Sequence, residues 1–121
     1  MDNDDFNLIP SNISTVVDML EYGGISWAEY QEDLPYAGFT GFNYSNQKTF
    51  ANDYVRKHNP LILYDSVAGN ASRVNQIKNF TSFDDDLKNQ KLAQWGMLHY
   101  NSLPEAWRMK HETNQDLIAS L

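Results

Sequence analysis

Residues 13–30, ISTVVDMLEYGGISWAEY, decide the fold, because within them the apolar spacing switches from that of a helix to that of a strand. Ile13, Val16, Val17 and Leu20 recur at helical intervals behind the turn and cap cluster Ile9-Pro10-Ser11-Asn12. Gly23-Gly24 then ends the run, so a helix is expected from Ser14 to Glu21 or Tyr22. From Ile25 to Tyr30 apolar and polar residues alternate among aromatics, which predicts a strand. Further along, Leu34 to Lys48 reads as an ordered loop, since one proline, two glycines and four aromatics suit no regular element. Tyr54 to Lys57 is expected to form a short helical turn before Asn59-Pro60, and Leu61 to Tyr64 is a short apolar segment. Asp65 to Ser72 reads as a turn region, followed by helices near Arg73–Lys78 and Asp84–Asn89. Lys91 to Leu98 supplies a second strand. A strand thus follows a helix twice, which favours the α/β class.

Composition narrows the function. The chain has 121 residues, enough for one domain, with 41% hydrophobic and 13% aromatic residues. Its formal charge of -7 and nine scattered basic residues argue against a nucleic-acid partner, because phosphate neutralisation needs clustered Lys and Arg. Mean hydropathy is -0.59, and no apolar run approaches the length of a transmembrane segment. Without cysteine there is neither a disulfide framework nor a thiolate metal site. The start, MDNDDFN, lacks the positive and apolar regions of a secretory leader. Four N-glycosylation patterns nevertheless occur, at Asn12, Asn43, Asn70 and Asn79. An asparagine-rich chain would give about one or two by chance, so a secreted ancestor is expected.

Among acidic groups, Asp2, Asp4 and Asp5 could hold a hard cation, but the spacing of a calcium loop is missing and a solvated end is the plainer reading. Asp84, Asp85 and Asp86 point in different directions on a helix, and are expected to sit at its positive start. Glu29, Glu32 and Asp33 could do acid and base work, although a polar strand end at the surface explains them as well. Alternation puts Glu29 and Gln31 on one strand face and Tyr30 and Glu32 on the other. His58 is the most suggestive residue: Arg56, Lys57 and His58 could meet a phosphate, and the Asn59-Pro60 step could hold the imidazole still. No phosphate-cradling glycine loop, nucleophile elbow or H-E-x-x-H is present.

The runs GISWAEYQEDLPY and YVRKHNP, within a stretch from residue 4 to 95, resemble the fungal phosphate-repressible acid phosphatases of the phosphoesterase family. The resemblance implies a fragment, residues 1–95, of an alkaline-phosphatase-like α/β/α layered fold in a secreted, extracellular or cell-wall-associated hydrolase. It implies a phosphoester substrate and a divalent metal, with His58 near the substrate phosphate and Asn59 and Arg56 beside it. Family members carry an earlier segment with metal ligands and nucleophile, and a later Asp-His motif, neither of which this chain matches. No catalytic residue and no bound metal are therefore expected here. Residues 96–121, GMLHYNSLPEAWRMKHETNQDLIASL, match nothing in that family and have helical character from Pro104. The competing expectation is a non-enzymatic module that uses Tyr36, Phe39, Phe42, Tyr44 and Phe50 as a contact surface.

Overall fold

A computed structural model describes residues 8–45, 47–48, 50 and 52–99. Helix α1, Val16–Tyr22, begins where a capping box closes: Thr15 Oγ1 accepts from the Val17 and Asp18 amides, and the Asp18 carboxylate accepts from the Thr15 amide at 2.9 Å. It ends in a paired-bond motif in which Ile25 N–H reaches Leu20 O and Gly24 N–H reaches Glu21 O. That closure needs a left-handed residue, which Gly24 supplies at φ +69. Because Ile25 is consumed in closing the helix, strand β1 starts two residues later than the alternation predicts, at Trp27–Gln31.

Three strands form a parallel sheet in the order β4 (Ile77–Asn79), β1, β5 (Trp95–His99). Parallel pairing requires long crossovers, and each crossover here carries helices. After β1 the chain makes the antiparallel pair β2 (Asn43–Ser45) and β3 (Asn52–Val55), a 3₁₀ turn at Arg56–His58, and helices α2 (Asp65–Ala68) and α3 (Ala71–Val74). Helix α4, Phe80–Lys88, links β4 to β5. A parallel bridge between Ile9 and Tyr64 ties the start of the described chain to the middle.

Every side chain of β1 is buried, so the strand is sandwiched rather than amphipathic. Trp27 joins one apolar cluster with Val17, Leu20, Tyr54, Leu61, Ile62, Val67, Val74 and Ile77. Ala28 and Tyr30, on the other face, pack with Phe83 and Leu87 of α4. Helices on both faces of a parallel sheet make the chain an α/β structure, as the helix-strand order predicts.

Several readings of the sequence are corrected: Asp65–Ser72 is not a turn region, since Asp65–Ala68 form α2 and α3 already begins at Ala71. The helix near Arg73–Lys78 stops at Val74, and Ile77 instead pairs with Glu29 as an edge strand. Tyr54 and Val55 are strand rather than helical turn, because β3 gains a partner in β2; the turn follows at Arg56–His58. The second strand begins at Trp95, since Gln94 is occupied by reciprocal bonds with Ser26. The three aspartates do not start a helix: Asn79 caps α4, leaving Asp84–Asp86 beyond its first turn. Asp86 accepts from Tyr30 Oη and Lys78 Nζ, both at 2.8 Å, and so pins α4 to β1 and β4. The stretch from Leu34 is irregular only as far as Phe42, because Asn43–Ser45 pair with β3 as a strand; within it Gly38 sits at φ +81 against the Asn75 side chain, where a Cβ would collide. The tail from Pro104 and the Asp2, Asp4, Asp5 cluster lie outside the described residues.

The largest departure concerns Glu29, which is not at a surface strand end but 0% exposed, beside a Gln31 that is 1% exposed. Its Oε1 accepts from Gln31 Nε2, and Oε2 has no partner among the described residues. Burial pushes its carboxyl up to about 7, against the opposing bond from Gln31. A folded value above the unfolded 4.5 favours the protonated form, so this group's stabilisation is complete below pH 4.5 and is lost as pH rises through about 7. Urea unfolding at pH 4.5 and pH 8 should show Glu29→Gln gaining up to about 3 kcal/mol on the parent at pH 8 and nothing at pH 4.5. Thr15→Ala should lower stability by about 1 kcal/mol in thermal unfolding, with Thr15→Ser close to neutral, because the cap needs only the hydroxyl.

Candidate functional site

The segment from β3 into the turn at residues 56–63 carries the residues singled out by the sequence. Strand β3 delivers Arg56 to the interior, where its backbone N–H donates to Phe42 O at 2.8 Å. The Arg56 side chain is 6% exposed and its guanidinium lies 5.4 Å from the Phe42 ring centre. Nη1 donates to Thr40 O and Nη2 to Ile62 O at 3.4 Å, while Nε has no acceptor among the described residues. No carboxylate among those residues pairs with this cation.

Asn59 is fully buried. Its Nδ2 donates to Tyr54 Oη at 3.1 Å, and its Oδ1 accepts from Ile62 N–H at 3.3 Å. Burial raises the Tyr54 hydroxyl to about 12, so the phenol stays neutral and available to accept. His58, between these two inward residues, is exposed, and Lys57 is half-buried. Consequently Arg56, His58 and Asn59 are neighbours in one turn without converging on one point: the first and third brace the turn, and the second faces solvent.

The other candidates separate. Glu29 sits on the core face of β1, whereas Asp33 lies beyond the strand at φ +62, its carboxyl pushed up by burial and by the nearby charges of Glu32 and Asp53. Glu29 and Glu32–Asp33 therefore do not form an acid-base pair across one cleft. Among the described residues no three His, Asp or Glu converge to hold an ion. The described residues thus offer no ligand set that fits the divalent metal the resemblance implies. Asn12, Asn43 and Asn70 are exposed, while Asn79 is half-buried, its Oδ1 accepting from the Ser82 amide and hydroxyl at 2.9 Å. Of the aromatic loop, Phe39 packs into the core edge-on to Tyr54, whereas Tyr36 and Phe50 are 60% and 80% exposed.

Sequence reasoning missed the burial of Glu29 and the bracing role of Asn59. The signal for the first was present: a carboxylate at an inward position of a strand whose neighbours are Trp, Ala and Tyr. The bond from Asn59 to Tyr54 joins two residues of one short segment, but a β-to-3₁₀ transition brings them together, and that transition has no local pattern.

The chain is 62% identical over 114 residues to an acid phosphatase of Aspergillus fumigatus, 56% over 101 residues to a probable acid phosphatase of Kluyveromyces lactis, and 52% over 114 residues to the phosphate-repressible acid phosphatase of Penicillium chrysogenum. These matches cover 94%, 84% and 94% of this chain but only 25%, 24% and 26% of the relatives, so the chain spans about a quarter of their length. No solved structure matches it. No helix among the described residues is long and apolar enough to cross a membrane. The family profile fits residues 1–115, past the boundary near residue 95, and on that match and these identities the chain belongs to the phosphoesterase family.

Proposed function

We propose that the chain is part of an acid-phosphatase-like phosphoester hydrolase in which His58 contacts the substrate phosphate and that, alone, it turns over no substrate. The observation that carries this reading is the exposed His58 on a turn whose neighbours Arg56 and Asn59 are anchored in the core. An imidazolium donates from both ring nitrogens, and a nearby cation adds favourable potential for an anion. Lys57 contributes further positive charge at the surface. Metal-assisted phosphoryl transfer also needs a positioned nucleophile and an ion cage, which we assign to parts of the longer relatives. Fungal relatives at 51–62% identity support the substrate class.

The test is hydrolysis of 4-nitrophenyl phosphate by the folded chain from pH 4 to 8, with and without divalent ions, beside His58→Ala. No turnover above background is expected. Turnover that disappears in His58→Ala would overturn the claim of catalytic incompleteness.

The parent protein is, in this reading, secreted and glycosylated. Expressed behind a leader in a yeast host, the chain should carry glycans at the exposed Asn12, Asn43 and Asn70 and none at the half-buried helix cap Asn79. Peptide mass spectrometry reads the occupancy, and a modified Asn79 would contradict the assignment. A second reading, a binding module working through Tyr36 and Phe50, draws on their 60% and 80% exposure. It requires a partner whose binding is lost in Tyr36→Ser/Phe50→Ser, and no phosphate response at His58.

A further inference from the structure

We propose that a cleft at the amino ends of the parallel strands is a binding site for a small organic monocarboxylate, held through Lys91, Gln76 and Ser72. None of residues 56–63 lines it, so it is separate from the turn that carries His58.

The cleft has a volume of about 420 Å³ and is bounded by Ser26 and Trp27 where β1 begins, by Gln76 just before β4, and by Lys91 and Ala93 before β5. That size is typical of a small-molecule site. In open α/β sheets ligands of the reaction centre gather at the carboxyl ends of the strands, so a cleft at the amino ends is an accessory site.

Its polar groups divide into two sets. Tyr30 Oη and Lys78 Nζ both donate to Asp86 Oδ2 at 2.8 Å. Trp27 Nε1 donates to Glu21 Oε1 at 3.2 Å, while Glu21 Oε2 accepts from Arg73 Nη2 at 2.8 Å. Ser26 is engaged by Gln94, its amide donating at 3.0 Å and its hydroxyl accepting at 2.9 Å. The fold has already used all of these. By contrast, the side chains of Lys91, Gln76 and Ser72 have no partner among the described residues, although each lines the cleft. Apolar walls from Ala28, Ala93 and Ile25, the last 40% exposed, complete it. A few uncommitted polar groups among apolar walls are what fixes the orientation of a bound small molecule.

Charge selects the ligand. Asp86 and Glu21 are each met by a cation, Lys78 and Arg73, at 2.8 Å, which leaves Lys91 as the lining cation without an ion pair among the described residues. One ammonium matches one negative charge. A phosphomonoester dianion needs more positive charge than that and would be repelled by Asp86 and Glu21. A carboxylate has two acceptor oxygens, one for the Lys91 ammonium and one for the Gln76 amide or the Ser72 hydroxyl. Its apolar body then covers Ile25, Ala28 and Ala93 and removes them from water.

The experiment titrates the full chain, isotopically labelled, with phenylacetate, with its neutral analogue phenylacetamide and with inorganic phosphate at neutral pH. The amide resonances of Ala28, Gln76 and Ala93 and the Trp27 indole N–H report the cleft, and those of Val55 and His58 report the turn. Phenylacetate should give saturable shifts confined to the cleft. Phenylacetamide should bind about tenfold more weakly, because it lacks the charge that Lys91 meets, and inorganic phosphate should leave the cleft resonances unmoved. Lys91→Gln should weaken phenylacetate about tenfold without changing phenylacetamide, and Lys91→Arg should retain the binding of the acid. Lys91 is exposed and its bond to Asp86 O comes from its backbone N–H, so neither variant removes a contact of the fold. The proposal is overturned by the absence of saturable shifts in the cleft, by equal midpoints for acid and amide, by Lys91→Gln binding the acid like the parent, or by phosphate saturating the same resonances.

Discussion

The structure depends on the complete burial of β1. A strand paired on both edges and covered on both faces has no side from which water can solvate a polar group, so each of its residues must find its partner inside the protein. Trp27 does so through Glu21, its Nε1 donating to Oε1 at 3.2 Å, and Tyr30 through Asp86. These two bonds point to opposite faces of the sheet, one to α1 and one to α4, and thereby fix both helix layers relative to the strand. Arg73 extends the first of them, bridging Asp18 and Glu21 at 2.9 and 2.8 Å and tying α3 to α1.

The same constraint gives the polar residues of β1 their consequence. Glu29 and Gln31 lie on the face that meets the 59–62 turn, and each removes the other's isolation by a direct bond. Polar groups of this kind contribute little net stability and cost a great deal when half satisfied. What they add is a defined geometry: apolar side chains such as Leu61 and Ile62 could slide against Trp27 or Val17, but the Ile62 amide held by Asn59 Oδ1 has one register. Arg56 and Asn59 thus tie the 3₁₀ turn that carries the exposed His58 to the core.

How far the sequence was legible depended on whether an element is specified locally. Helix α1 could be read from its 3.6-residue period and its glycine stop, although its N-cap is Thr15, boxed with Asp18, and not the cluster at residues 9–12. Helix α4 ends in the same paired-bond closure, Lys91 N–H to Asp86 O and Gln90 N–H to Leu87 O, but with Gln90 at φ +55 where a glycine would have announced it. Its start was misplaced for a related reason: Asn79 is both the last residue of β4 and the cap of α4, and a strand of three residues has too little sequence to show a period. Ile77 itself becomes a strand only because Glu29 lies beside it.

The sequence by itself determined the α/β class, the first helix and the strand after it, the exposed polar character of the chain and the resemblance that places it among phosphoesterases. Those properties live in composition, period and motif, which a linear string carries. Only the tertiary structure decided that Glu29 is buried, that Arg56 and Asn59 turn inward while His58 turns out, and that Asp86 joins three elements. Each of those outcomes depends on which residue lies opposite in space, and pairing between residues such as Tyr30 and Asp86, distant along the chain, leaves no trace in the local pattern of either.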